Sequence, residues 1–148
     1  MAVPPLVPQG TLNRVRCSIV VPTFSSLNIS SSYMGKSFAS LSFQGPFTEL
    51  IPTATGAVTS PEPYVMANIT VGLLRTQGLA YSWLTQAGQT GSLGSIVIHS
   101  DTAAWPEITL IDAVINDIEP GAYDGMDPVV RLSLKGIYTV NSNLWNLV

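Results

Sequence analysis

The sequence predicts a mainly β protein, an antiparallel β-sandwich or barrel with one flanking α-helix. Three observations predict this class. Apolar and polar residues alternate in several segments, Gly and Pro separate those segments, and only one stretch has helical periodicity. Strands that follow one another without intervening helices cannot form βαβ units, so we expect antiparallel pairing.

The strands can be placed from this alternation. They are predicted at residues 15–21, 38–44, 64–74, 93–100, 108–118 and 129–140, within a total of about seven. The segment 64–74 is the clearest, because one face would carry only apolar side chains: Val65, Ala67, Ile69, Val71 and Leu73. Ala39, Leu41 and Phe43 would likewise share one face.

One helix is predicted at residues 77–87. Thr76 would cap its start and Gly88 would end it. Its apolar stripe follows i, i+3, i+4, i+7 spacing at Ala80, Trp83, Leu84 and Ala87. Such a stripe is typical of core packing, so we do not expect a cofactor there.

The length of 148 residues fits a single domain, residues 1–148. We expect an N-terminal arm at 1–13, a long loop at 45–63 and an apolar C-terminal tail at 141–148. A loop of this length is usually functional or disordered. Because it contains Phe47, Leu50 and Ile51, we expect a loop or long hairpin that contacts a neighbour. The alternative is a loop folded back on its own domain.

Charged residues make up only 10% of the chain, against about 25% in a typical protein. Burial of the exterior against other subunits would explain this shortage, although a monomer whose surface is rich in Ser, Thr, Gln and Asn remains an alternative. Residues 76–130 contain no Lys or Arg. Their carboxylates are Asp101, Glu107, Asp112, Asp117, Glu119, Asp124 and Asp127. Such a surface would repel polyanions, which argues against nucleic-acid binding.

The sequence offers little for catalysis, and we expect a protein that is not an enzyme. Cys17 and His99 are the only residues of their types, each is predicted within a strand, and no phosphate-binding or nucleophile-elbow motif occurs. We expect no cofactor and no metal. The acidic segment 117–128 could offer calcium ligands, but it lacks the EF-hand order and equally suits a turn. No apolar run approaches the ~18 residues of a membrane span.

A family resemblance adds to these inferences. The segments Asn68–Val71, the helix around Trp83, and Gly136–Asn141 resemble those of tail tube proteins of contractile-tailed bacteriophages, as does the order of the elements. The resemblance implies a tail-tube-like fold, shared with type VI secretion tubes. It also implies a structural virion protein whose hexameric rings stack into the hollow inner tube that conducts phage DNA.

The same resemblance implies a location in the virion, after assembly in the host cytoplasm, and no membrane partner. Besides itself, the protein would contact tail sheath, baseplate or tube initiator, tape measure and tail terminator proteins, and DNA would pass without specific binding. Two alternatives stay open. One is a tube initiator, baseplate or secretion-tube homologue, and the other is a monomeric β-sandwich module that binds carbohydrate or calcium through Asp117–Asp127.

Two sets of site residues follow from the tube hypothesis. Ring stacking is assigned to apolar residues of the loop and tail: Phe47, Leu50, Ile51, Leu144 and Trp145. Positive charge in a lumen would trap DNA through counterion release. An acidic lining is therefore expected, and it is assigned to Asp112, Asp117 and Glu119.

Overall fold

A computed structural model describes residues 6–143, apart from the side chain of Ser37. This part of the chain is mainly β, with 48% of its residues in strands, and an antiparallel sheet curls into a half-barrel beside a single α-helix. The predicted fold class is therefore confirmed. No helix in this part of the chain has the length and apolarity that a bilayer crossing requires.

The elements follow the predicted order closely. They are β1 (Ser18–Val20), β2 (Met34–Gln44), β3 (Thr48–Pro52), β4 (Ala57–Pro61), β5 (Tyr64–Leu74), α1 (Gly78–Gln89), β6 (Ser92–His99), β7 (Ile108–Glu119) and β8 (Val129–Thr139). The strand predicted at 15–21 is shorter, because Arg14–Arg16 forms a 3₁₀ turn. The side chain of Asn13 stabilises that turn by accepting a hydrogen bond from the Val15 amide.

Six strands form one antiparallel sheet in the order β1-β6-β7-β8-β5-β2. β5 lies between β2 and β8, and its pairing with β8 runs without a shift from Tyr64–Thr139 to Leu74–Val129. β7 carries a bulge at Asp112, whose φ is 49°. An extra residue in one strand increases local bending, so the bulge contributes to the curl of the sheet.

The concave face of the sheet holds the core. The predicted apolar face of β5 is confirmed, since all five of its side chains are buried. Trp83 of α1 is also fully buried and packs into this cluster.

The prediction for α1 was only partly right. Ala80 and Trp83 are buried, with Leu79 partly buried beside them, but Leu84 and Ala87 are exposed. Its N-cap is Gln77 without a side-chain bond, whereas Thr76 was expected. Gly88 lies inside the helix, which ends where the Thr90 amide bonds to the Gln86 carbonyl.

Candidate assembly surfaces

The predicted loop 45–63 is a β-hairpin that stands apart from the main sheet. β3 and β4 pair from Thr48–Pro61 to Pro52–Ala57, and the Thr53 amide closes the turn onto the Gly56 carbonyl at 2.8 Å. β2 and β5 are neighbours in the main sheet, so the hairpin extends from the end of that pair. We call residues 47–62 the arm.

The arm exposes apolar side chains. Phe47, Ile51 and Val58 are exposed and Leu50 is 70% exposed, so the outer part of the arm is not covered by its own domain. Glu49 and Glu62 are its charged residues, and it carries no Lys or Arg. A two-stranded hairpin is at best marginally stable alone in water. The arm is therefore suited to contact another molecule.

The base of the arm is fixed to the sheet on two sides. The Phe43 ring lies 5.2 Å from that of Phe47 and 5.0 Å from that of Tyr138, between centroids. On the other side, the Asn141 side-chain amide donates to the carbonyl oxygens of Phe47 and Glu62, each at 2.8 Å. These contacts join the arm to the end of β8.

The acidic residues predicted for a lumen lie on strand β7, and all three are exposed. Asp117 pairs with Ser133 and Glu119 with Arg131, so each pair points to the same face of the sheet. Leu132 and Leu134 alternate with these β8 residues and are buried on the concave face. Asp117 and Glu119 therefore lie on the convex face. The same face carries cations, because Arg131 and Lys135 alternate with those buried residues, so its charge is mixed. Asp112 sits apart in the bulge.

The segment 120–128, which joins β7 to β8, is held by Arg75. The guanidinium donates to the Pro120 carbonyl and lies 5.0 Å from the Tyr123 ring centroid, and the Arg75 amide bonds to Pro128 at 2.8 Å. Tyr123 and Met126 are each 85% exposed. They border a groove of about 410 Å³, which we call the Arg75 groove.

The carboxylates near this groove act as turn residues. Asp124 and Asp127 accept hydrogen bonds from the backbone amides of Met126 and Val129, at 2.9 and 3.1 Å. Across residues 6–143, no three metal-ligating side chains of the His, Cys, Asp or Glu type come together. The structure therefore does not bring three or more of the carboxylates considered for calcium together.

A second groove, of about 390 Å³, is lined by residues that include Cys17, Leu41 and His99. Burial raises the pKa of the Cys17 thiol above its ordinary value, the nearby Asp101 raises it further, and a backbone hydrogen bond from Ala39 opposes both. A protonated thiol is a poor nucleophile. His99 Nδ1 lies 3.1 Å from Glu107 Oε2.

Sequence reasoning did not find four residues of these surfaces: Val58, Arg75, Tyr123 and Met126. Val58 follows Ala57, so no alternation marks it in the sequence, and only its pairing with Ile51 in the hairpin shows its place. The others depend on the tertiary contact between Arg75 and segment 120–128, which no local pattern reveals. Leu144 and Trp145, also assigned to stacking, lie outside the described residues.

No family model matches the chain, and no curated protein matches it. Solved structures are similar. A chain from the virion of a native gene transfer agent particle has a TM-score of 0.57 and 8% identity, covering 88% of this chain and 99% of that chain. A chain from the anti-feeding prophage cap, a tube-terminating cap, has a TM-score of 0.50 and 16% identity, covering 95% of this chain and 100% of that chain. At these identities the similarity establishes a shared fold.

Proposed function

We propose that this chain is a structural virion protein whose hexameric rings stack into the hollow inner tube of a phage-type tail and conduct DNA. The observation that carries the proposal is the arm. It extends from one end of the sheet, exposes apolar side chains, and is fixed at its base by Phe43, Tyr138 and Asn141. A surface of this kind is suited to a repeating contact between copies.

Two further observations support the proposal. The fold is shared with chains of a virion particle and of a tube-terminating cap. The low charge of the chain matches a subunit that is covered by neighbours on several sides. The protein would act in the virion after assembly in the host cytoplasm, with sheath, baseplate, tape measure and terminator proteins as partners.

Within this assembly the arm residues Phe47, Leu50 and Ile51 contact the next ring, together with Leu144 and Trp145. The convex sheet face with Asp117 and Glu119 borders the lumen, where DNA passes without specific binding. Asp112, in the β7 bulge, adds to this acidic lining. Asp117 and Glu119 offset the positive charges of Arg131 and Lys135 on the same face, which leaves no net positive charge for DNA to neutralise.

Negative-stain electron microscopy of the purified full chain tests the proposal, and hollow tubes are expected. Residues 48–61 can be replaced by Asn-Gly, because the Glu62 amide already bonds to the Phe47 carbonyl at 3.0 Å and Asn-Gly suits a two-residue hairpin turn. This variant should give rings or monomers without tubes. Particles that stay monomeric when the unaltered chain is concentrated would overturn the proposal, and tubes from the shortened chain would remove the arm from stacking.

A tube-terminating cap is the second candidate, favoured by the similarity to such a cap over 95% of this chain. A cap binds the end of a tube once, whereas a tube subunit adds repeatedly. Rings that do not elongate at any concentration would favour the cap. Gold-labelled antibody distinguishes the two in particles, since it would mark tube ends for a cap and the whole length for a tube subunit.

A further inference from the structure

We infer that the Arg75 groove of one copy receives the arm of the next copy, a contact that rests on the proposed function and identifies the receiving surface. Ile51 and Val58 would lie against Tyr123 and Met126. Glu49 would pair with the guanidinium of Arg75. The occupant is a second copy of this chain.

The register of the sheet places the two surfaces at opposite ends. The arm joins β2 and β5 at Gln44 and Tyr64, and Tyr64 pairs with Thr139. At the other end of β5, Leu74 pairs with Val129, and Arg75 and segment 120–128 follow directly. Ten residue steps separate Tyr64 from Leu74, or about 33 Å of strand. The arm therefore cannot reach the groove of its own chain.

One face of the arm combines apolar and acidic side chains. Ile51 pairs with Val58, and Glu49 pairs with Ser60. These two pairs lie two residues apart along each strand and so point to the same side. Glu49 forms no ion pair among the described residues. The arm thus offers an apolar pair and a free carboxylate about 7 Å away along the strand.

The Arg75 groove offers the complementary chemistry. Tyr123 and Met126 supply exposed apolar surface. The carboxylates of Asp124 and Asp127 are engaged by backbone amides, and Asp127 also lies 3.8 Å from Arg131. Arg75 forms no ion pair within residues 6–143. Because its Nε is buried, an incoming carboxylate would pair with the outer nitrogens of the guanidinium.

A contact between different surfaces of identical copies is heterologous and repeats without limit when it does not close on itself. Donor and acceptor at opposite ends of one sheet give such a repeat along the strand direction. The arm of each copy is then covered, and each added copy presents a new arm. The geometry accounts for growth along one axis.

Cysteine cross-linking of the full chain tests the contact. In a Cys17→Ser background, Ile51→Cys and Met126→Cys are combined, and the assembled protein is treated with a short bis-maleimide. We expect a ladder of covalent oligomers on denaturing gels. Each single variant alone should give no ladder, and a mixture of the two should stop at dimers. The matched control combines Ile51→Cys with Tyr81→Cys, which is 73% exposed against 85% for Met126 but lies on α1, and it should not cross-link.

The outcomes separate the two proposals. If tubes form but positions 51 and 126 do not cross-link, the Arg75 groove is not the receiving surface and the tube function stands. If positions 51 and 81 cross-link instead, the arm docks on α1 and the inference is wrong. If the unaltered chain forms no assembly at any concentration, the proposed function fails and the inference fails with it.

Discussion

The side-chain amide of Asn141 donates a hydrogen bond of 2.8 Å to the carbonyl oxygen of Phe47. A second bond of 2.8 Å from the same nitrogen reaches Glu62. Asn141 therefore bridges both strands of the arm at its base. It does so with a φ of 55°, in the left-handed region that Asn tolerates better than most residues. Together with the ring contacts of Phe43, this side chain at the end of β8 fixes the position of the arm.

Replacing Asn141 by Ala should loosen the arm. The two bonds contribute about 1 kcal/mol each, and Ala also fits the backbone poorly. We expect faster amide hydrogen exchange in residues 48–61 with little change in β5 and β8. Asn141→Gly keeps the backbone conformation and isolates the side chain, and Asn143→Ala, at an exposed residue nearby, is the matched control. Unchanged exchange in both Asn141 variants would contradict the anchoring role.

Trp83 should be the most sensitive position on α1. Trp83→Ala removes a fully buried side chain, which should lower the free energy of unfolding by about 3–5 kcal/mol. Tyr81→Ala, two residues away and 73% exposed, should change it by about 0.5 kcal/mol or less. Urea denaturation of dilute, unassembled protein measures both. Similar losses of unfolding free energy in the two variants would contradict the packing of α1 through Trp83.

Gly72 should not tolerate a side chain. A Cβ at this position would lie 2.7 Å from Val129 Cγ1, and a Cβ at Gly35 would lie 2.7 Å from Val129 Cγ2. Val129 is β-branched and lies between both glycines, so it has no free direction to move. We expect Gly72→Ala to lower the free energy of unfolding, measured by thermal unfolding, by about 1–3 kcal/mol.

Val129→Ala in the same chain should restore part of that loss, which a double-mutant cycle detects. Gly56→Ala is the control, since no atom of the described residues lies within 4 Å of a Cβ there. Additive effects of the Gly72 and Val129 substitutions would mean that the crowding does not arise from this pair.

The raised pKa of Cys17 predicts slow alkylation. Its thiol should react with iodoacetamide more slowly at pH 8 than the same thiol in urea, and the rate should keep rising past pH 9, because the folded pKa lies above the ordinary value of 9.0. Because the folded pKa is the higher one, the free energy of unfolding should also depend on pH. The contribution of the protonated thiol to it is fully present below the unfolded pKa and is lost as the pH rises through the folded pKa. Equal rates in folded and unfolded protein would refute this.

Reversing charge on the convex face should slow DNA passage. Asp117→Lys with Glu119→Lys replaces two negative charges per subunit by two positive ones, on a face that already holds Arg131 and Lys135, so DNA would be retained by counterion release. We expect assembled particles of normal length with reduced DNA delivery, measured as transfer per particle. Gln89→Lys, at an exposed position of α1, is the control. Normal delivery by the double variant would exclude an acidic lining.

Local patterns predicted the strands well, because burial of one face imposes a period of two. β5 shows this directly, since its predicted and observed bounds coincide. The arm was only partly predictable. Its length and its apolar residues predicted a loop or hairpin that contacts a neighbouring molecule. The pairing of Ile51 with Val58 was not predictable, because it depends on the turn at residues 53–56. The exposure of Leu84 was not predictable, because it depends on how broadly α1 contacts the sheet. The partners of Arg75 lie about 45 residues away along the chain and have no sequence signal.

The central place of β5 has a mechanical consequence. This strand connects the arm directly to Arg75, and the sheet hydrogen-bonds it on both sides, to β2 and β8. Tension applied between these ends would run along the strand, perpendicular to its hydrogen bonds. Rupture would then require many bonds to shear together, whereas a sideways pull would open them one at a time. The protein is thus built to be strongest along the axis in which its copies would stack.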